Sequence, residues 1–146
     1  VAKKPYRHTI SWQQLHNRGL VYGRAVEIKE QLYLVRLMNG GDLSDPTIVN
    51  EWCTLFCQIH QLKQTDSYYN QVKDHTVQPW VNYTDEDLLM YHIYGSGTYC
   101  WTSDSCTPAG DYRVYRGDNG VYSAGVHDKR TAHLCFGWRP VLVPIT

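Results

Sequence analysis

The sequence predicts a single α+β domain spanning residues 1–146, with two main helices, a small antiparallel sheet and a loop-rich β C-terminal half. Three observations carry this reading. Ile48, Val49, Trp52, Leu55, Phe56 and Ile59 recur at helical spacing, which marks one apolar face. After Tyr94, Gly95, Gly97, Gly110, Gly117, Gly120, Gly125 and Gly137 punctuate short runs rich in Val, Tyr and Thr. Both helical segments precede that strand-rich half, so helices and strands are segregated along the chain rather than alternating. At 146 residues and 16.9 kDa the chain fits one core.

Each element has a local cause. Ser11-Trp12-Gln13-Gln14 has the Ser-x-x-Gln form of a capping box, and Gly19 is a stop signal, so a short helix is expected over about 12–18. Leu20 to Ile28 and Gln31 to Met38 are rich in Val, Leu and Tyr and flank Lys29-Glu30, which reads as a β-hairpin. Asn39-Gly40-Gly41-Asp42 ends the hairpin. Ser44-Asp45-Pro46 then caps the second helix and places Pro at its first position. Gln61 to Pro79 is polar and reads as irregular structure, and Thr84-Asp85-Glu86-Asp87 before Leu88-Leu89-Met90 reads as a third capped helical turn. Strands are expected at Thr98–Thr102, Asp111–Arg116, Val121–Ser123 and His133–Val143.

Charge narrows the function classes. Lys+Arg and Asp+Glu are both 14, so the chain has no net field to gather nucleic acid, and a nucleic-acid partner is not expected. No apolar stretch approaches the roughly 20 residues that a spanning helix needs, so membrane insertion is not expected either. Twelve Tyr and five Trp instead suit a rigid recognition surface, because these side chains offer much contact area at little entropic cost.

The five cysteines, Cys53, Cys57, Cys100, Cys106 and Cys135, fit no zinc spacing. Cys100 and Cys106 bracket a polar segment that a disulfide would staple into a loop. Cys53 and Cys57 lie four apart on the expected helix, so each can meet Cys135 across the core, and one thiol is left over. The alternative is that all five are reduced core residues. Disulfides favour an extracellular, cell-surface or virion-surface setting. Val1 follows no signal peptide, so an exported protein would be represented here by a mature or excised segment.

Catalytic constellations are sparse. None of the seven His lies in a nucleophile elbow, although His133 and Cys135 share a strand face by their two-residue spacing, which reads first as a core Cys with a half-buried His beside it and alternatively as a thiolate–imidazole pair. Asn39-Gly40-Gly41-Asp42 lacks the lysine of a phosphate loop. Asp85-Glu86-Asp87 invites calcium but lacks the interleaved ligands of a calcium loop, and acids also favour the start of any helix. No metal and no cofactor are expected.

Two segments carry a resemblance. Arg113-Val114-Tyr115-Arg116-Gly117, followed later by Gly137-Trp138-Arg139-Pro140-Val141, resembles the C-terminal half of C-type-lectin-fold domains. The nearest group is the formylglycine-generating-enzyme-like branch, which includes the variable receptor-binding proteins of diversity-generating retroelements. The resemblance implies a C-type-lectin-like fold in which Arg116, Trp138 and Arg139 are structural, with Arg116 and Arg139 in a polar network beneath the loops. The enzymes of that branch use a close cysteine pair after the Arg-Val segment, and 118–131 contains no cysteine, so that chemistry is not implied. The calcium-dependent lectin signatures are also missing.

What the resemblance leaves is a non-enzymatic module that presents a Tyr/Trp-rich face to a protein receptor or surface glycan. Its expected contacts are Tyr99, Trp101, Asp104, Tyr112, Tyr115, Asp118, Asn119, Tyr122, His127 and Asp128, a paratope-like set. A calcium-independent lectin and a thiol-dependent oxidoreductase using Cys135 with Cys53 or Cys57 are the alternatives. The oligomeric state is not legible from the sequence.

Overall fold

The structure, a computed structural model, describes residues 1–2, 5–41, 50–52, 55, 99–105, 110–117 and 124–146. Its first strand, β1 (Arg7–His8), leads into α1 (Trp12–Asn17). Ser11 closes the expected capping box: its hydroxyl accepts from the Gln14 N–H at 3.0 Å, and the Gln14 side chain accepts from the Ser11 N–H at 2.9 Å. Gly19 ends the helix at a left-handed φ of +74°, a conformation that costs glycine little.

The hairpin forms from β2 (Arg24–Ile28) and β3 (Gln31–Leu37), paired antiparallel from Ile28↔Gln31 to Arg24↔Val35. Lys29 and Glu30 turn it at φ 49° and 65°, the doubly left-handed geometry whose twist matches the flanking strands. The first strand of the hairpin, β2, starts later than the expected Leu20. The turn after α1 consumes Leu20, whose N–H donates to Leu15 O at 3.0 Å, and the chain does not become extended until Arg24.

The remaining strands are β4 (Tyr99–Ser105), β5 (Tyr112–Arg116), β6 (Ala124–Asp128), β7 (Phe136–Trp138) and β8 (Pro140–Pro144). One sheet runs β1-β7-β4-β5-β6, with the β7/β4 pair parallel and the others antiparallel. The second runs β2-β3-β8, antiparallel throughout. A single buried residue, Arg139, separates β7 from β8, so the chain crosses from one sheet to the other at that point. Backbone bonds also tie the sheets together, Ser103 N–H donating to Met38 O at 3.0 Å.

The α+β expectation of two main helices over a small sheet is overturned. The protein is mostly β: among the described residues one six-residue helix accompanies eight strands in two sheets. Much of the sheet is built by pairings between distant segments, which local patterns do not encode. β1 is two residues long and finds its partner in β7, near the far end of the chain, and the single strand expected over His133–Val143 is two strands serving different sheets. Of the second expected helix only 50–52 and 55 are described, with Glu51 and Trp52 helical. The irregular segment at 61–79, the third helical turn with Asp85-Glu86-Asp87, the strand at 121–123 and Cys53, Cys57 and Cys106 lie outside the described residues. The expected disulfides all involve at least one of those cysteines.

The main core gathers Ile10, Trp12, Leu15, Val21, Leu37, Trp101 and Phe136 between α1, the hairpin and one face of the five-stranded sheet. Burying each large side chain contributes about 1.5–3 kcal/mol. Trp12 anchors the helix twice: its Nε1 donates to Thr102 O at 2.9 Å, and the Arg113 guanidinium lies 4.3 Å from its ring centre.

Candidate recognition surface

Strand alternation and register sort the expected contacts by sheet face. Trp101 opposes Tyr115, and Tyr115 opposes Gly125, so these positions share a face with Tyr99 and His127. Tyr112 and Asp128 oppose one another on the other face. The ten expected contacts therefore do not form one surface.

On the first face the rings interlock. Tyr99 and Tyr115 stack at 4.8 Å with planes 7° apart, and Phe136 meets both edge-on at 5.3 and 5.4 Å. Beneath them Trp101 stacks on Phe136 at 4.3 Å and donates from Nε1 to Ile10 O at 2.8 Å. At 1% exposure Trp101 is a core residue, not a contact. The rings that remain half-exposed are Tyr99 and Tyr115, with His127 exposed 5.1 Å from Phe136. Gly125 makes this arrangement possible, because a Cβ there would lie 2.5 Å from the Tyr115 hydroxyl oxygen; the phenol crosses β6 over bare backbone.

The expected polar contacts are held by the protein itself. Asp104 accepts from the N–H groups of Gly40 and Gly41 at 2.6 and 3.2 Å and from Asn39 Nδ2 at 3.3 Å, fixing the turn after the hairpin. Glu51 locks the same turn by accepting from the Asn39 N–H at 2.8 Å while forming a two-pronged pair with Arg36 at 2.8 and 2.5 Å. The Arg36 hydrogen bond holds the Glu51 carboxyl below its ordinary range and raises the guanidinium in return. At the β6 end, Asp128 accepts from Arg130 Nε at 2.9 Å and Nη2 at 2.6 Å, which holds its carboxyl well below the usual range. Lys129 pairs with Asp111 at 3.1 Å, beside the exposed ring of Tyr112. Asp118, Asn119 and Tyr122 lie outside the described residues.

The opposite face holds a cationic interior. Arg116 and Arg139 are 0% and 1% exposed, and their guanidinium carbons lie 5.9 and 5.4 Å from the centre of the Trp52 ring. Arg116 Nη1 donates to Gly40 O at 3.0 Å. Arg139 bonds the fully buried Cys100 thiol; burial pushes that thiol up and the guanidinium down, and their contact opposes both shifts. Trp138, the third expected structural residue, packs edge-on against Tyr6 at 5.8 Å. No known family model, curated protein or solved structure gives a significant match to this chain.

One close pair borders the aromatic core, against which Cys135 packs. His133 Nδ1 lies 3.1 Å from Cys135 Sγ, with the imidazole exposed and the thiol half-exposed. The two-residue spacing pointed to this contact, but the pair sits in a turn before β7 rather than on a strand. Among the described residues no group of three or more His, Cys, Asp or Glu is placed to hold a metal ion.

Proposed function

We propose that this chain is a non-enzymatic recognition module whose contact surface centres on Tyr99, Tyr115 and His127. The observation that carries this reading is the stacked, half-exposed Tyr99–Tyr115 pair, held edge-on by Phe136 and seated over Gly125. Rings fixed before binding lose little entropy when a ligand arrives, and their edges and hydroxyls serve the face of a sugar ring or a protein side chain. Kinship with the C-type-lectin-fold group belongs to this proposal, on the strength of the Arg113–Gly117 and Gly137–Val141 motifs. An extracellular, cell-surface or virion-surface setting belongs to it too.

The test is a glycan array probed with the intact chain, first with calcium and then with a chelator. Saturable binding that survives the chelator and is lost in Tyr115→Ala supports a calcium-independent lectin surface. Binding that Tyr115→Ala leaves unchanged refutes the proposed site, and a blank array transfers the proposal to protein partners, where the same variant is the control.

A further inference from the structure

We propose that β2 is a dimerisation edge, through which two copies of this chain join their three-stranded sheets into one sheet of six strands. The inference is independent of the recognition surface, which lies on the other sheet. The Ile145 N–H donates to Leu32 O at 2.9 Å, and the Leu37 N–H donates to Val21 O at 3.1 Å. Even-numbered residues of β3 therefore bond β8, and odd-numbered ones bond the β2 side. Through the register, Gln31, Tyr33 and Val35 engage Ile28, Val26 and Arg24. The N–H and C=O groups of Ala25 and Glu27 consequently point away from β3, along an edge where both residues are exposed and beyond which no described strand lies.

The other edges are closed. By the same alternation the outward positions of β8 are Pro140, Leu142 and Pro144, and two of these have no N–H to offer. Pro140 O already accepts from the Ala2 N–H at 3.1 Å. In the five-stranded sheet the edges are the two-residue β1 and the mostly half-buried β6. β2 has five residues in unbroken register and contains neither proline nor bulge, the devices that keep an edge from pairing.

A second copy is the occupant because β2 is complementary to itself. A two-fold axis normal to the sheet at Val26 sets the strand antiparallel to its copy, with Ala25 of each opposite Glu27 of the other. Those are the residues whose backbone groups point outward, so the two strands exchange four N–H···O bonds. The side chains agree with this register. Val26 meets its own copy, the exposed Ile28 lies beside the aliphatic stem of the opposing Arg24, and the Arg24 head is diagonal to Glu30 in the opposing turn, within reach of an ion pair. Neighbouring registers lose these features: an axis at Ala25 pairs Gly23, which lies outside β2 at φ 137°, and an axis at Glu27 sets Glu27 against itself. Two short strands bury less than a standard interface, so the association is weak and depends on concentration.

Sedimentation of the full chain from micromolar to millimolar concentration is the test. The mass should rise from 16.9 kDa towards twice that value. Ala25→Pro removes an outward N–H and no bond to β3, and should weaken association at least about tenfold. Arg24→Glu and Glu30→Arg should each weaken it by about tenfold, because the dimer holds two such pairs and reversal turns attraction into repulsion. The two reversals combined should restore it. Should Ala25→Pro unfold the hairpin, the charge reversals at these exposed positions decide alone. A chain monomeric throughout, a dimer that Ala25→Pro and Arg24→Glu leave unchanged, or a double reversal no tighter than the single ones would overturn the proposal.

Discussion

The two faces of the five-stranded sheet solve the same packing problem with opposite chemistry. One face is filled by rings: Trp101 on Phe136, with Trp12, Ile10 and Leu15 above and the Tyr99–Tyr115 pair at the margin. The other buries two guanidinium groups around Trp52 and sets the Cys100 thiol against one of them. Trimming a ring leaves a cavity but strands no charge, whereas buried cations demand defined partners. The comparison explains why recognition is assigned to the aromatic face. Its rings can be half-exposed at the margin without stranding a charge.

The largest effect is expected at Trp101. Trp101→Ala removes a fully buried indole together with its bond to Ile10 O, and should cost about 3–5 kcal/mol of stability in denaturant unfolding. A loss below about 1 kcal/mol would mean that the aromatic face is not the main core. On the cationic face, Cys100→Ala deletes few atoms but takes an acceptor from the buried Arg139. It should cost about 1–3 kcal/mol, more than its volume alone predicts, and a neutral result would show that the thiol contact carries nothing.

The smallest expected effect sharpens the role of the turn that borders the cationic face. The Arg36 hydrogen bond lowers the folded-state pKa of Glu51, so its stabilisation is present above the unfolded carboxyl pKa of about 4 and fades as pH falls through the folded value. Both side chains are partly exposed, so solvent screens the pair, and Glu51→Gln should cost no more than about 1 kcal/mol at pH 7. Stability curves for wild type and variant should converge in acid. A gap that persists at low pH would assign the effect to the Asn39 bond or to packing.

Short-range signals in the sequence match the structure, whereas long-range pairings leave no local pattern. The Ser11 capping box, the Gly19 stop and the Lys29-Glu30 turn depend on neighbours within a few residues, and the structure realises each of them. The pairing of Arg7–His8 with β7 and the crossover at Arg139 depend on partners far along the chain, which no local pattern encodes. The sheet content was therefore understated. At the candidate site, composition could not separate a core ring from a half-exposed one. Trp101 and Tyr115 oppose one another in register, yet one lies under α1 and the other at the margin. Asp104 and Asp128 looked like contacts because they are polar and loop-proximal, but Gly40, Gly41 and Arg130 occupy them.

The most direct test of the account compares Tyr115→Ala with Trp101→Ala for thermal unfolding and for binding on the glycan array, or to the protein partner if the array is blank. Tyr115→Ala should abolish binding while losing only about 1–2 kcal/mol of stability, well short of the Trp101 loss. Equal destabilisation by the two variants, with no binding defect separable from unfolding, would place Tyr115 in the core and contradict the recognition surface.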